Sequence, residues 1–148
     1  MPGVDAVMAV FDEAALLHLR LEAMVERIHG STELTRACRG VLRDLERLGQ
    51  RTVPQLARRR PVSRQTVQAQ VNRLVEAGMA ELTENPDHAT SRLVGLTPTG
   101  RAAVRDMWAR EMRLVETLDL EIPAADLERA AGVLAALRQA IERPAGAP

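Results

Sequence analysis

Lysine and tyrosine are absent from this 148-residue sequence, and cysteine, tryptophan and phenylalanine occur once each. With Cys38 alone the chain cannot form an internal disulfide, which is typical of proteins from a reducing cytoplasm. A chain of this length can bury enough apolar surface to fold without a disulfide or a metal. We interpret Cys38 as a small core residue rather than a redox-sensing thiol, because it lies in an apolar helical pattern.

Long apolar runs and targeting signals are also missing. The longest unbroken apolar run near the start, residues 6–11, is far too short to span a bilayer. Three acidic residues precede the first basic residue, Arg20, and this order is the reverse of that in a signal peptide. We therefore expect a soluble cytoplasmic protein that does not associate with membranes.

Sequence motifs typical of metal binding or catalysis are absent as well. His18, His29 and His88 do not fall into H-x-x-x-H or H-E-x-x-H, and there is no C-x-x-C. No glycine-rich phosphate loop occurs, and no local partner would activate the thiol as a nucleophile. We expect no metal, no cofactor and no enzymatic activity.

The charges that are present are strongly segregated, although the net charge is zero. All 20 basic residues are arginine, and residues 47–75 hold seven of them without one acidic residue. Residues 106–128 hold seven acidic residues and two arginines. The cationic middle predicts a polyanionic partner. A solvated surface is the alternative, but solvated helix faces usually mix both signs.

The apolar periodicity and the turn residues predict six helices and one hairpin. Thr52 and Gln55 form a capping box for a short third helix that reaches about Arg60, and Ser63 is a good N-cap for the fourth. The other helices are predicted at about 5–28, 35–48, 98–120 and 123–141, the fourth at 64–77, and the hairpin strands at 79–84 and 92–97. The predicted fold class is mainly α (α+β), a winged helix-turn-helix with a two-stranded wing, flanked by N- and C-terminal helices.

The fourth helix is the candidate for reading DNA. Val67, Val71 and Leu74 fall on one side and form a packing face. Gln65, Ala69, Asn72 and Arg73 fall on the opposite side, flanked by Gln68. Asn and Gln can bond adenine edges, Arg can bond guanine, and a small alanine permits close approach. An ordinary solvated face is the alternative, but such faces are rich in Glu and Lys.

Residues around this helix are candidates for phosphate contacts. Ser63 and Thr66 lie near its N-terminus, where free N–H groups favour anions. Three consecutive arginines end the preceding helix, although a cationic C-terminus also suits the helix dipole. The predicted DNA-binding residues are Arg58, Arg59, Arg60, Ser63, Arg64, Gln65, Thr66, Gln68, Ala69, Asn72, Arg73, His88 and Arg92.

Several of these segments together resemble the MarR family of regulators. The similarity lies in Leu56-Ala57, in the run 62–67, in 71–75 with Gly78, and in 93–100, which resembles that family's L-T-x-x-G signature. The resemblance covers nearly the whole chain and implies one domain, 1–148, with the winged helix-turn-helix at 35–97 and dimerisation helices at 5–30 and 98–142. Phe11 and Trp108 fall on such helices, and we interpret them as core or interface residues.

The resemblance also implies partners. These are a second copy of the chain, double-stranded DNA carrying an inverted-repeat operator, and a small amphipathic or phenolic effector that releases a repressor from DNA. One departure concerns the wing tip, where the family usually carries Asp-x-Arg. Here Thr90 stands at the expected arginine position, so we expect a reduced wing contribution, supplied mainly by Arg92.

Two functions follow from these observations. The first is a sequence-specific DNA-binding transcriptional regulator, which the arginine stretch and the amide-rich helix favour. The alternative is a dimeric winged-helix module that binds proteins without reading DNA sequence, which the altered wing tip favours.

Overall fold

The computed structural model describes residues 3–30 and 34–143, so residues 1–2, 31–33 and 144–148 of the predicted domain lie outside it. The elements are α1 (Val4–His29), α2 (Arg36–Leu48), β1 (Arg51–Thr52), α3 (Val53–Arg59), α4 (Arg64–Glu76), β2 (Ala80–Thr83), β3 (Leu93–Leu96), α5 (Pro98–Val115) and α6 (Ala124–Glu142). The chain divides into two compact units, Met1–Val115 and Glu116–Pro148. The assignment of 1–148 to one domain stays a prediction.

The core of the first unit lies where α2 packs on α4, on α5 and on β3. Leu42, Val67, Val71, Leu74 and Val94 are fully buried there. Burying each such side chain contributes about 1.5–3 kcal/mol, so this cluster fixes how α4 lies on the rest of the unit. Cys38 belongs to the same core, as expected.

Local capping chemistry sets most helix boundaries, and here the sequence predictions are confirmed. The capping box of α3 is complete, because the Gln55 N–H donates to Thr52 Oγ1 (3.3 Å) and the Thr52 N–H donates to Gln55 Oε1 (2.9 Å). Gly78 follows α4 with a φ of 67°, a left-handed conformation that glycine adopts without strain.

The sheet differs from the predicted two-stranded wing. It has three antiparallel strands in the order β1-β3-β2, with Arg51 opposite Val94 and Ala80 opposite Leu96. The hairpin of β2 and β3 is the predicted wing, while β1 is an addition. A strand of two residues has no periodicity, and the second of them, Thr52, is also the N-cap of α3.

The segment from Leu96 to Gly100 joins the wing to α5 in close contact with the end of α4. Thr97 Oγ1 donates to the Gly78 carbonyl (2.6 Å) and accepts from the Gly100 N–H (3.1 Å). A Cβ added at Gly100 would lie 2.0 Å from the Met79 carbonyl oxygen, so only glycine fits here. α5 ends at Val115, earlier than the predicted residue 120, and the weak helix formers Thr117 and Asp119 follow.

Candidate nucleic-acid interface

The N-terminus of α4 is built as the sequence predicts. Ser63 is the N-cap, and its Oγ accepts from the Thr66 N–H at 3.1 Å. The two hydroxyl groups of Ser63 and Thr66 also bond each other at 2.8 Å. Both residues are exposed, so their hydroxyls and the free N–H groups of the first turn face solvent, where an anion can reach them.

The exposed face of α4 carries most of the predicted base-reading residues. Gln65, Ala69 and Asn72 are exposed on the side opposite the three buried core residues of this helix. Gln68 lies on one flank, and its Nε2 donates to Asn72 Oδ1 at 2.9 Å. This i,i+4 bond holds the exposed Asn72 amide in one orientation. We refer to Gln65, Gln68, Ala69 and Asn72 as the amide face.

Arg73 lies apart from the amide face. It is exposed, but it lines a cavity that is bordered by α2, α4 and α5, together with Ala77 and Met79. Helical periodicity alone predicts that Arg73 lies beside Asn72, because adjacent residues in a helix differ by only about 100° in direction. The neighbouring elements, which the sequence pattern does not specify, decide which flank borders the cavity.

The three arginines that end α3 have different surroundings. Arg59 Nε donates to Asp44 Oδ1 (3.0 Å), and Arg60 Nε donates to Asp44 Oδ2 (2.8 Å). Arg58 makes no ion pair with any residue that the structure describes, and the same is true of Arg64 on α4. Arg58 and Arg64 therefore have their charges available for an external partner, whereas Arg59 and Arg60 balance a buried carboxylate.

The wing tip between β2 and β3 is ordered by its own polar groups. Asn85 Oδ1 accepts from the Asp87 N–H (3.1 Å), and Asn85 Nδ2 donates to the Ser91 carbonyl (2.9 Å). His88 and Thr90 are exposed. Arg92 is exposed too, but its Nη2 donates across the hairpin to the Leu82 carbonyl (2.9 Å), so the guanidinium lies along the wing.

A groove of about 470 Å³ separates the wing from the start of α4. Arg64, Gln65 and Gln68 line one side, and Thr90, Ser91 and Arg92 line the other. The structure thus brings one end of the amide face and the predicted wing residue Arg92 to the same groove. The two arginines make this groove cationic, since no acidic residue lines it within the described chain.

The cavity beside Arg73 is a feature that the sequence analysis missed. It has a volume of about 600 Å³ and is lined mainly by apolar side chains, including Leu34, Met79 and Met107. Arg39 lines it as well and is 3% exposed, and it donates to Glu26 Oε2 (2.8 Å) and to the Leu34 carbonyl (2.7 Å). The Arg39 Nε is buried without a hydrogen bond to any described residue. Long-range packing forms this cavity, so no local pattern predicts it.

Membrane spans and metal clusters complete the description of the chain. No helix in the described ranges is long and apolar enough to cross a membrane. Within residues 3–30 and 34–143, no group of three His, Cys, Asp or Glu side chains is placed to hold a metal ion.

Helix α2, the helix-turn-helix of α3 and α4, and the wing formed by β2 and β3 define a winged helix-turn-helix protein. Comparisons with known proteins agree with this class. A model described as the MarR family matches residues 32–89. The uncharacterized protein Rv2011c of Mycobacterium tuberculosis is 40% identical over 123 residues, 80% of each chain. The crystal structure of the MarR family transcription regulator SP03579 is 26% identical, with a TM-score of 0.75, and covers 93% of this chain and 91% of its own.

Bordetella bronchiseptica BpsR, whose structure was solved to explain how 6-hydroxynicotinic acid regulates its DNA binding, is 22% identical with a TM-score of 0.67. The similarity covers 97% of this chain and 96% of BpsR. This protein belongs to the MarR family of DNA-binding transcription regulators.

Proposed function

We propose that the protein binds a specific duplex DNA sequence by inserting α4 into the major groove. The amide face carries this proposal, because it is an exposed polar surface without a structural role in the core. Three fully buried residues, Val67, Val71 and Leu74, hold the opposite side of α4, so its orientation is fixed by packing. Amides present a donor and an acceptor side by side, which matches the adenine edge in the major groove.

The proposed phosphate contacts surround the amide face. Arg58 and Arg64 carry charges that no described residue neutralises, and Ser63 and Thr66 lie at the positive end of the α4 dipole. The groove between α4 and the wing is a place for one DNA backbone, with Arg92 on its far side. Each phosphate that an arginine neutralises makes affinity more sensitive to salt, by a slope of about −0.9 in log–log terms.

The proposed assembly is a homodimer. Large apolar side chains of α1 are exposed, with Leu16, Leu17 and Leu19 each more than half exposed, and Trp108 on α5 is 58% exposed. Large apolar side chains exposed in such number favour an interface that covers them. A two-fold dimer presents two recognition helices about one helical turn of DNA apart, which implies an inverted-repeat operator with half-sites about 10 bp apart.

We further propose that the protein is a repressor that a small amphipathic acid releases from DNA. The cavity beside Arg73 supports this, because it combines an apolar lining with the guanidinium of Arg73, which pairs with no described acid. Of the other charged residues in the lining, Arg39 pairs with Glu26 and Asp106 pairs with Arg110. Arg73 belongs to α4, so a ligand that binds its side chain would favour one position of the DNA-reading helix over another. The regulation of BpsR by 6-hydroxynicotinic acid, an aromatic hydroxycarboxylic acid, concerns a ligand of the same chemical class.

The test of DNA reading is the substitution Asn72→Ala. Loss of one bidentate contact costs about 1–3 kcal/mol of discrimination, so affinity for the preferred operator should fall by about 5- to 150-fold. Affinity for a scrambled duplex should stay within about twofold, since phosphate contacts remain. Fluorescence anisotropy on both duplexes measures the two affinities.

Gln70→Ala is the matched control, because Gln70 is an amide residue of α4 outside the amide face and less exposed. It should leave the ratio of the two affinities unchanged. An Asn72→Ala variant with unaltered affinity and unaltered base preference would show that the amide face does not read DNA.

A further inference from the structure

Asp44 is a buried carboxylate with two guanidinium partners. It lies on α2 and is 5% exposed, and each of its oxygens accepts from one arginine at the end of α3. Among the described residues, these are the only ion pairs formed by the seven arginines of the acid-free stretch 47–75. Asp44 on α2 is therefore the acid that pairs with the arginine-rich segment before α4.

Arg60 makes a second contact with α2 that depends on a glycine. Its Nη2 donates to the Gly40 carbonyl at 2.8 Å. A Cβ added at Gly40 would lie 2.8–2.9 Å from three atoms of this guanidinium. Arg60 thus bridges one turn of α2, from Gly40 to Asp44, and only the absence of a side chain at Gly40 leaves room for it.

The position of this bridge relates it to α4. Arg60 is the C-cap of α3, and only three residues separate it from Arg64, where α4 begins. The contacts of Arg60 with α2 therefore hold the N-terminal end of α4 in place, while the buried Val67 and Val71 determine which face of α4 packs against the core. Base recognition depends on holding side chains to within about 0.5 Å, so a small shift at this end would displace the amide face.

We propose that Gly40, Asp44 and Arg60 form a positioning cluster that sets the register of α4 for base recognition without touching DNA. This inference rests on the proposed function, since it assumes that α4 reads bases. It also reassigns Arg60, which the sequence analysis placed among the phosphate contacts. Moving Arg60 to a phosphate would remove the partner of Asp44 Oδ2 and leave the buried carboxylate with Arg59 alone, which is unfavourable.

Two variants that conserve charge test the cluster. In Arg60→Lys, the single ammonium cannot reproduce the fork that bonds Asp44 and Gly40 together. In Gly40→Ala, the new Cβ displaces the guanidinium, although alanine itself favours the helix. For both variants we expect the ratio of operator affinity to scrambled-duplex affinity to fall about tenfold or more, with scrambled-duplex affinity within about twofold of wild type.

Each variant has a control that alters the same chemistry elsewhere. Arg47→Lys changes an exposed arginine of α2 that pairs with no described acid, and Gly3→Ala adds a Cβ just before α1 where nothing lies within 4 Å. Neither should alter the ratio. Circular dichroism and thermal unfolding establish that each variant is folded, and two independent variants keep the test valid if one is not.

The outcomes separate the two proposals. If Arg60→Lys weakens operator and scrambled duplex equally, Arg60 is a phosphate contact and the positioning role is wrong. If both variants keep the wild-type ratio, the cluster is only structural. If the wild-type protein itself shows no preference between the two duplexes, the proposed function fails, and the inference that depends on it fails for that separate reason.

Discussion

Gly100→Ala should destabilise the protein strongly, although alanine is normally the better helix former. The added Cβ would lie 2.0 Å from the Met79 carbonyl oxygen, whereas real Cβ atoms essentially never approach within 3.0 Å. The two must therefore separate by about 1 Å. The same carbonyl accepts from the Thr97 N–H at 3.1 Å, so the separation also breaks the hydrogen bond that joins the wing to the loop after α4.

The magnitude follows from three contributions. Overpacking costs about 1–3 kcal/mol, and a buried hydrogen bond left unmade costs about 1–3 kcal/mol. The higher helix propensity of alanine offsets up to about 1 kcal/mol of this destabilisation. We expect a net loss of about 1–6 kcal/mol in the free energy of unfolding, and each kcal/mol lowers the Tm of a chain of this size by about 2–4 °C.

Chemical denaturation at two protomer concentrations measures this loss and separates folding from association. Gly132→Ala is the control, since its added Cβ meets no described atom within 4 Å and α6 gains helix propensity. It should be neutral or stabilising by up to about 1 kcal/mol. A Gly100→Ala protein as stable as Gly132→Ala would refute the packing argument for this junction.

Two other predictions concern the wing and the cavity. Thr90→Arg should tighten DNA binding, most at low salt and on operators with A·T-rich flanks, because a narrow minor groove attracts an inserted arginine. Fluorescence anisotropy on two operators that differ only in their flanks measures the change in affinity. Equal affinities for the wild type and the variant would mean that the wing tip does not contact DNA. Under the proposed release mechanism, titrating small aromatic carboxylic acids into the protein–operator complex should lower anisotropy, and Arg73→Ala should require more of the active acid for half-release. Release that is identical in the variant would exclude Arg73 from the ligand site.

Features set by neighbouring residues could be predicted from the sequence. The caps at Thr52 and Ser63 are local chemistry between residues three apart, and the structure has both. The buried stripe of α4 follows from helical periodicity, so the exposed residues opposite it, such as Asn72, were found as well. Local rules sufficed because each of these features involves one helix and its first turn.

Features set by distant residues could not be predicted. The ion pair of Arg60 with Asp44 joins residues 16 apart on different helices, so no local pattern indicates it. Arg73 borders a cavity whose walls come from several elements. β1 exists only through its pairing with β3, since a two-residue strand has no pattern of its own. In all three cases, tertiary packing decides the outcome.

We propose that a dimer reads duplex DNA with two copies of α4, and selection of binding sites from random duplexes, followed by footprinting of the enriched sequence, is the decisive experiment. We expect an inverted repeat whose half-sites lie about 10 bp apart, bound by two protomers, with an affinity that falls steeply as salt increases. A winning site that is one asymmetric half bound by one protomer, or no enrichment over random sequence, would contradict it.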